Sequence, residues 1–111
     1  MANEMTSDEI SVVELKERID RGDAPTIIDV REPHEVQICR IAGAVHIPLR
    51  DLPSRVNELD PTAEVVLQCR SGVRSANATL WLRSQGFTRA RNLTGGILEW
   101  IDKVDPSLPK Y

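Results

Sequence analysis

The chain has 111 residues, 41% of them apolar, a net charge of −3 and two cysteines. That is the length of one domain, long enough to bury a core without disulfide or metal staples. The charge leaves no basic footprint for nucleic acid or an anionic membrane, and two distant cysteines make no disulfide framework.

No apolar stretch is long enough to span a bilayer, and Met1–Met5 does not read as a signal peptide. The expected compartment is the reducing cytoplasm, with no membrane and no nucleic acid as partner. Asn77-Ala78-Thr79 and Asn92-Leu93-Thr94 match the glycosylation sequon, by chance in that compartment. One domain is expected over 1–111, with 1–9 and 105–111 as extended terminal segments.

Ser11 with Glu14 forms a capping box. It opens a helix from Val12 to Arg21, with Leu15 and Ile19 on one face and Gly22 as the stop. Thr26–Val30 is short, β-branched and apolar, so it reads as a buried strand. Pro33 starts a short helix over His34–Cys39, and Glu32 stands where it can cap it. Ala44–Ile47 is a strand ended by Pro48. Asp51–Glu58 reads as a short helix carrying Leu52 and Val56, broken by Pro61. Glu64–Gln68 is the most apolar strand. A loop follows, then a helix over Ser75–Gln85 closed by Gly86. Arg89–Leu93 is a weak strand, and Gly95-Gly96 turns into a last helix over Ile97–Ile101.

Strands separated by helices predict an α/β fold, a mainly parallel sheet with helices on both faces. Ligands in such folds bind beyond the carboxyl ends of the strands. Cys69-Arg70-Ser71-Gly72-Val73-Arg74 sits at such an end. A cysteine between strand and helix faces free backbone N–H groups and the positive end of a helix dipole. Arg70 and Arg74 add positive charge. Both effects favour thiolate, the nucleophilic form.

Four signatures make the chain resemble the rhodanese-like domains, carriers of sulfane sulfur. They are Asp29-Val30-Arg31-Glu32-Pro33-His34-Glu35, Ile41-Ala42-Gly43-Ala44-Val45-His46-Ile47-Pro48, the Cys69–Ser75 loop, and Asn92-Leu93-Thr94-Gly95-Gly96-Ile97 with Trp100. The resemblance covers almost the whole chain and implies a three-layer fold. It implies a relay in which Cys69 takes sulfur from thiosulfate or a desulfurase persulfide and passes it to cyanide, a thiol or a sulfur-carrier protein. No cofactor is implied beyond the cysteine persulfide itself. Arg70, Ser71, Gly72, Val73 and Arg74 are the expected persulfide-binding residues, and Asp29 with Arg31 a supporting hydrogen-bonded pair.

The chain departs from the commonest pattern at Cys39-Arg40, where many members have Gly-His, and at Val36, where many have an aromatic residue. Cys39 reads as a small buried hydrophobe; the other reading is a thiol that resolves the Cys69 persulfide. His34 and His46 have no ligand-type neighbours in sequence, so no metal site is expected. Trp81 and Trp100 read as core or half-buried helix faces. Gly95-Gly96 reads as a tight turn near the site. The segments Leu52-Pro53-Ser54-Arg55 and Pro106–Tyr111 look most like the rhodanese domain at the carboxyl end of adenylyltransferases that supply sulfur to molybdopterin synthase and to ubiquitin-like sulfur carriers. A single-domain thiosulfate sulfurtransferase is the equal rival.

Two other functions stay open at this point. Cysteine phosphatases and arsenate reductases share a cysteine–loop–arginine cradle, although their loop is one residue longer than the stretch between Cys69 and Arg74. A non-catalytic interaction module is the other.

Overall fold

The computed structural model describes residues 7–111. Five parallel strands form one sheet in the order β1-β5-β4-β2-β3. In chain order the elements are β1 (Glu9–Ile10), α1 (Val12–Asp20), β2 (Thr26–Asp29), α2 (Pro33–Ile38), β3 (Val45–His46), α3 (Leu52–Arg55), β4 (Val65–Gln68), α4 (Val73–Ser84), β5 (Ala90–Leu93) and α5 (Gly96–Lys103). The α/β architecture expected from the alternation of helices and strands is present, with every strand pair parallel.

Alternate residues of the central strands face opposite layers. Ile27 and Val66 pack with Leu15, Ile97, Trp100 and Ile101 of α1 and α5. Ile28, Val65 and Leu67 pack with Ala78 and Leu82 of α4 and Leu52 of α3. β2 and β4 are buried on both faces, which is why they read as continuous apolar runs.

The differences from expectation have local causes. β1 is a two-residue edge strand beside β5, too short to leave a periodic signal. It lies where an extended terminal segment is expected; residues 1–6 of that segment are outside the described residues. The expected helix over Asp51–Glu58 is only one α-helical turn, flanked by 3₁₀ turns at Leu49–Asp51 and Val56–Glu58. α4 begins two residues before Ser75, directly after Gly72. The 105–111 segment opens with a turn, closed by the Leu108 N–H on the Asp105 carbonyl, before it extends. Among the described residues no helix is long and apolar enough to cross a membrane.

Candidate functional site

Cys69 follows β4 at the carboxyl edge of the sheet, and α4 starts four residues later. Gly72 makes that short connection possible. Its φ of 101° is a left-handed value that glycine adopts without strain. The turn brings three N–H groups towards the sulfur. Gly72 N lies 3.1 Å from Cys69 Sγ, Ser75 N 3.5 Å, and the Ser71 N–H also bears on it.

The Ser75 hydroxyl completes the ring at 3.3 Å from Sγ. Its oxygen is also 2.6 Å from Asn92 Oδ1. One hydroxyl proton serves one acceptor at a time. With a neutral thiol the proton rests on Asn92; once the thiolate forms, the charge draws it to sulfur.

Burial pushes the Cys69 thiol up, but the Ser75 hydroxyl and the Ser75, Gly72 and Ser71 N–H groups outweigh it, and the net shift is downward. The expected arginine charge acts at longer range: Arg74 and the Cys69 thiolate attract one another, but the hydrogen-bond donors lead in lowering the thiol. Arg74 is bound to Glu35 by two contacts of 2.7 and 2.8 Å. Arg70 turns to the rim, where its Nε donates to the Tyr111 carbonyl at 2.8 Å. Neither guanidinium donates to the sulfur in this geometry. The nearest polarising groups are main-chain amides and one hydroxyl.

The loop is held from below by the β5–α5 turn. The Ile97 N–H donates to the Cys69 carbonyl at 2.9 Å and the Leu98 N–H to the Arg70 carbonyl at 3.1 Å. These first-turn amides of α5 have no partner within their own helix, so the loop carbonyls satisfy them. A Cβ on Gly96 would lie 2.5 Å from both loop carbonyl oxygens. Gly95-Gly96 is thus the tight turn expected near the site, and it serves close backbone approach. From the side, Asn92 Nδ2 donates to the Gly72 carbonyl at 3.2 Å.

Cys69 is only 1% exposed. One side of its side chain packs into the α3/α4 core layer, and the other meets the amide ring. Val73, expected among the sulfur-binding residues, points its side chain outward and is 68% exposed.

Asp29 and Arg31 form the expected pair. Arg31 Nε and a terminal nitrogen reach the Asp29 carboxylate at 2.9 and 2.7 Å, both side chains fully buried. Arg31 also donates to the Cys39 carbonyl at 2.8 Å and so ties the exit of β2 to the end of α2. This pair supports the segment next to the loop and makes no contact with the sulfur. His46 Nε2 is 2.7 Å from the Arg31 carbonyl oxygen, a structural role. Glu32 is the N-cap residue of α2, whose N–H donates to Glu35. Cys39 is buried in the α1/α5 layer, whereas Cys69 belongs to the α3/α4 layer. The sheet separates the two thiols, so Cys39 is a packing residue and not placed to resolve a Cys69 persulfide.

Three residues of the site carried no clear sequence signal. Ser75 closes the third signature, but its bond to the sulfur shows only once the first turn of α4 folds over Cys69. Glu35 sits in the first signature but shows its role only when α2 meets α4. Tyr111 comes from the far end of the sequence.

The rhodanese-like domain model matches residues 11–103. This chain belongs to the rhodanese-like family. A sulfurtransferase of Allochromatium vinosum is 35% identical over 100 residues, covering 90% of this chain and 89% of that protein. The adenylyltransferase and sulfurtransferase UBA4 of Candida glabrata is 36% identical over 101 residues, covering 81% of this chain. The structure of the human single-domain sulfurtransferase TSTD1 has a TM-score of 0.79 at 30% identity, covering 87% of this chain and 97% of that one. The rhodanese-like chain spans only part of some relatives: 23% of UBA4, and 31% of the rhodanese-like/PpiC domain-containing protein 12 of Arabidopsis thaliana. Proteins named as sulfurtransferases are thus among its relatives.

Proposed function

We propose that Cys69 accepts sulfane sulfur as a persulfide and passes it to a thiophilic acceptor. The observation that carries this reading is the ring of donors on Cys69 Sγ: Gly72 N at 3.1 Å, Ser75 N at 3.5 Å and the Ser75 hydroxyl at 3.3 Å. Donors fixed at that position stabilise a charged sulfur without reorganising, in a site from which water is excluded.

With thiosulfate as donor, the Cys69 thiolate attacks the outer sulfur. A new S–S bond forms, the S–S bond of thiosulfate breaks, and sulfite leaves with the electron pair. In the second step cyanide or a thiolate attacks the outer sulfur of the persulfide. That S–S bond breaks and the Cys69 thiolate returns. The two transfers balance without an outside oxidant, reductant or cofactor, and no metal is called for. The persulfide lengthens the side chain by about 2 Å, so the outer sulfur reaches towards the Ser71–Gly72 turn at the mouth. Ser71 and Gly72 supply amides there; Arg70, held on Tyr111, and Arg74, paired with Glu35, stand at the rim.

A desulfurase persulfide is a second donor in this reading. A ubiquitin-like sulfur carrier is the finer proposal for acceptor, supported by the similarity to UBA4 over 81% of this chain. There the outer sulfur of the persulfide attacks an activated carboxyl end and expels the activating group, leaving an acyl disulfide on Cys69. A second, external thiol then attacks the Cys69 sulfur, the S–S bond breaks and the thiocarboxylate leaves with the electron pair. The resulting disulfide is reduced by a further thiol. That chemistry places the protein in molybdopterin biosynthesis or a related pathway. The chemistry needs a reduced thiol, and the reducing cytoplasm is the compartment we propose.

Thiocyanate formation from thiosulfate and cyanide tests the proposal. The wild type forms it and Cys69→Ser does not. Hydrolysis of a phosphate ester or reduction of arsenate, with no thiocyanate formed, would overturn the reading in favour of the phosphatase-like chemistry.

A further inference from the structure

Three guanidinium groups surround the Cys69 loop, and their charges are met in different ways. Arg31 is paired with Asp29, and Arg74 with Glu35. Arg70 makes no ion pair with a carboxylate side chain among the described residues. Its partners belong to Tyr111. Nε donates to the Tyr111 carbonyl at 2.8 Å, a terminal nitrogen donates to the same oxygen, and the guanidinium carbon is 5.0 Å from the ring centroid. The centroid of the same ring lies 5.7 Å from the guanidinium carbon of Arg31.

Tyr111 is itself anchored. Its hydroxyl accepts from Arg31 at 2.8 Å and donates to Glu35 Oε2 at 2.8 Å. Glu35 is the carboxylate that holds Arg74. One phenol thus joins the three arginines: Arg31 by hydroxyl and ring, Arg74 through Glu35, and Arg70 by ring face and main chain. These contacts hold the Arg70 guanidinium towards Tyr111.

We propose that Tyr111 is a specificity-determining residue of the Cys69 site, which withholds the Arg70 charge from small anionic sulfur donors and so favours neutral or protein-borne ones. The inference rests on Cys69 being the reacting thiol. The charge of an exposed arginine acts on an approaching anion over roughly one Debye length, about 8–10 Å at ordinary salt. Turning that group aside lowers the local concentration of anions at the mouth and leaves neutral reagents unaffected.

The test compares alkylation of Cys69 by iodoacetate, an anion, with alkylation by iodoacetamide, its neutral analogue. The ratio of the two rates cancels changes in thiol reactivity and in general access. Tyr111→Ala removes the ring against Arg70 and the hydroxyl that anchors residue 111 to Arg31 and Glu35. The main-chain oxygen then loses its fixed place and Arg70 is released; the ratio rises about three- to tenfold, less at high salt. In the Arg70→Ala/Tyr111→Ala double variant that rise is lost. Tyr111→Phe, which keeps the ring against Arg70, stays within about twofold of the wild type. An unchanged ratio in Tyr111→Ala, or a rise that survives removal of Arg70, overturns the proposal. Should Tyr111→Ala fail to fold, single Arg70→Ala decides. A ratio close to wild type agrees with a charge already withheld, and a severalfold fall shows that Arg70 is recruiting anions in the intact protein. Alkylation needs only a reactive thiol, so this result and the thiocyanate result fail independently.

Discussion

Gly96 lies directly beneath Cys69: a Cβ built on Gly96 would come within 2.5 Å of the Cys69 carbonyl oxygen, and equally close to that of Arg70. Real Cβ atoms do not approach a carbonyl oxygen so closely, and both oxygens belong to main chain that cannot rotate away. The φ of 62° at Gly96 adds strain for any other residue. Gly96→Ala therefore pushes the nucleophile loop off the α5 amides. We expect a loss of about 1–3 kcal/mol of stability and a fall in thiocyanate turnover larger than that loss of folded protein explains. Chemical denaturation and steady-state kinetics measured together check it. Wild-type turnover in a fully folded Gly96→Ala protein would contradict the close approach.

Ser75 is predicted to hold down the thiol pKa. Its hydroxyl is the foremost of the groups that lower the Cys69 pKa against the opposing effect of burial. Ser75→Ala removes that donor and also leaves Asn92 Oδ1 without its 2.6 Å partner. The midpoint of iodoacetamide alkylation against pH lies below 9.0, the unperturbed value, in the wild type. It moves upward in Ser75→Ala. Ser75→Thr, which keeps a hydroxyl, restores part of the difference.

Glu35 carries an acid-sensitive share of the stability. The hydrogen-bonded Arg74 guanidinium holds its carboxyl at about 2, below the unfolded value of 4.5. A depressed carboxyl contributes stability that is complete above the unfolded pKa and lost as pH falls through the folded one. The wild type thus loses this contribution between pH 4.5 and about 2. Glu35→Gln flattens that part of the stability profile. At neutral pH it costs about 1–2 kcal/mol, a figure kept small because Arg74 is partly exposed to screening water. Unfolding free energies at several pH values check both statements.

Much of the fold was legible because the signals were local. Val65-Val66-Leu67 reads as a buried strand whatever surrounds it, and Ser11 caps the start of α1, accepting from the Glu14 N–H at 3.0 Å; the Glu14 carboxylate faces Arg91 instead of closing the expected capping box. The placement of Cys69 between β4 and α4, facing main-chain amides, was legible because strand, glycine loop and helix follow one another in sequence. What escaped was set by distant contacts. Arg74 reads as a free cation until α2 brings Glu35 against it. β1 has only two residues, and its strand character comes from pairing with Asn92 and Leu93 of β5. Tyr111 meets Arg31 across 80 positions of sequence, and no periodic pattern records such a contact.

Asp29 is predicted to matter for folding more than for chemistry. Removing it leaves the Arg31 charge fully buried against the Glu35 and Cys39 carbonyls, the Tyr111 phenol and no directly bonded acid. Asp29→Ala should cost about 3–5 kcal/mol. Whatever folded protein remains keeps the wild-type midpoint for Cys69 alkylation, because neither residue touches the sulfur. A shifted midpoint would move the pair into the reacting site.

The central claim is that one main-chain-cradled sulfhydryl stores a transferable sulfur. Intact mass after incubation with thiosulfate addresses it most directly. The account predicts an increase by one sulfur atom on the wild type, none on Cys69→Ala, and return to the starting mass when cyanide is added. An unchanged wild-type mass with thiosulfate and with a desulfurase persulfide, or the same gain on Cys69→Ala, would contradict it.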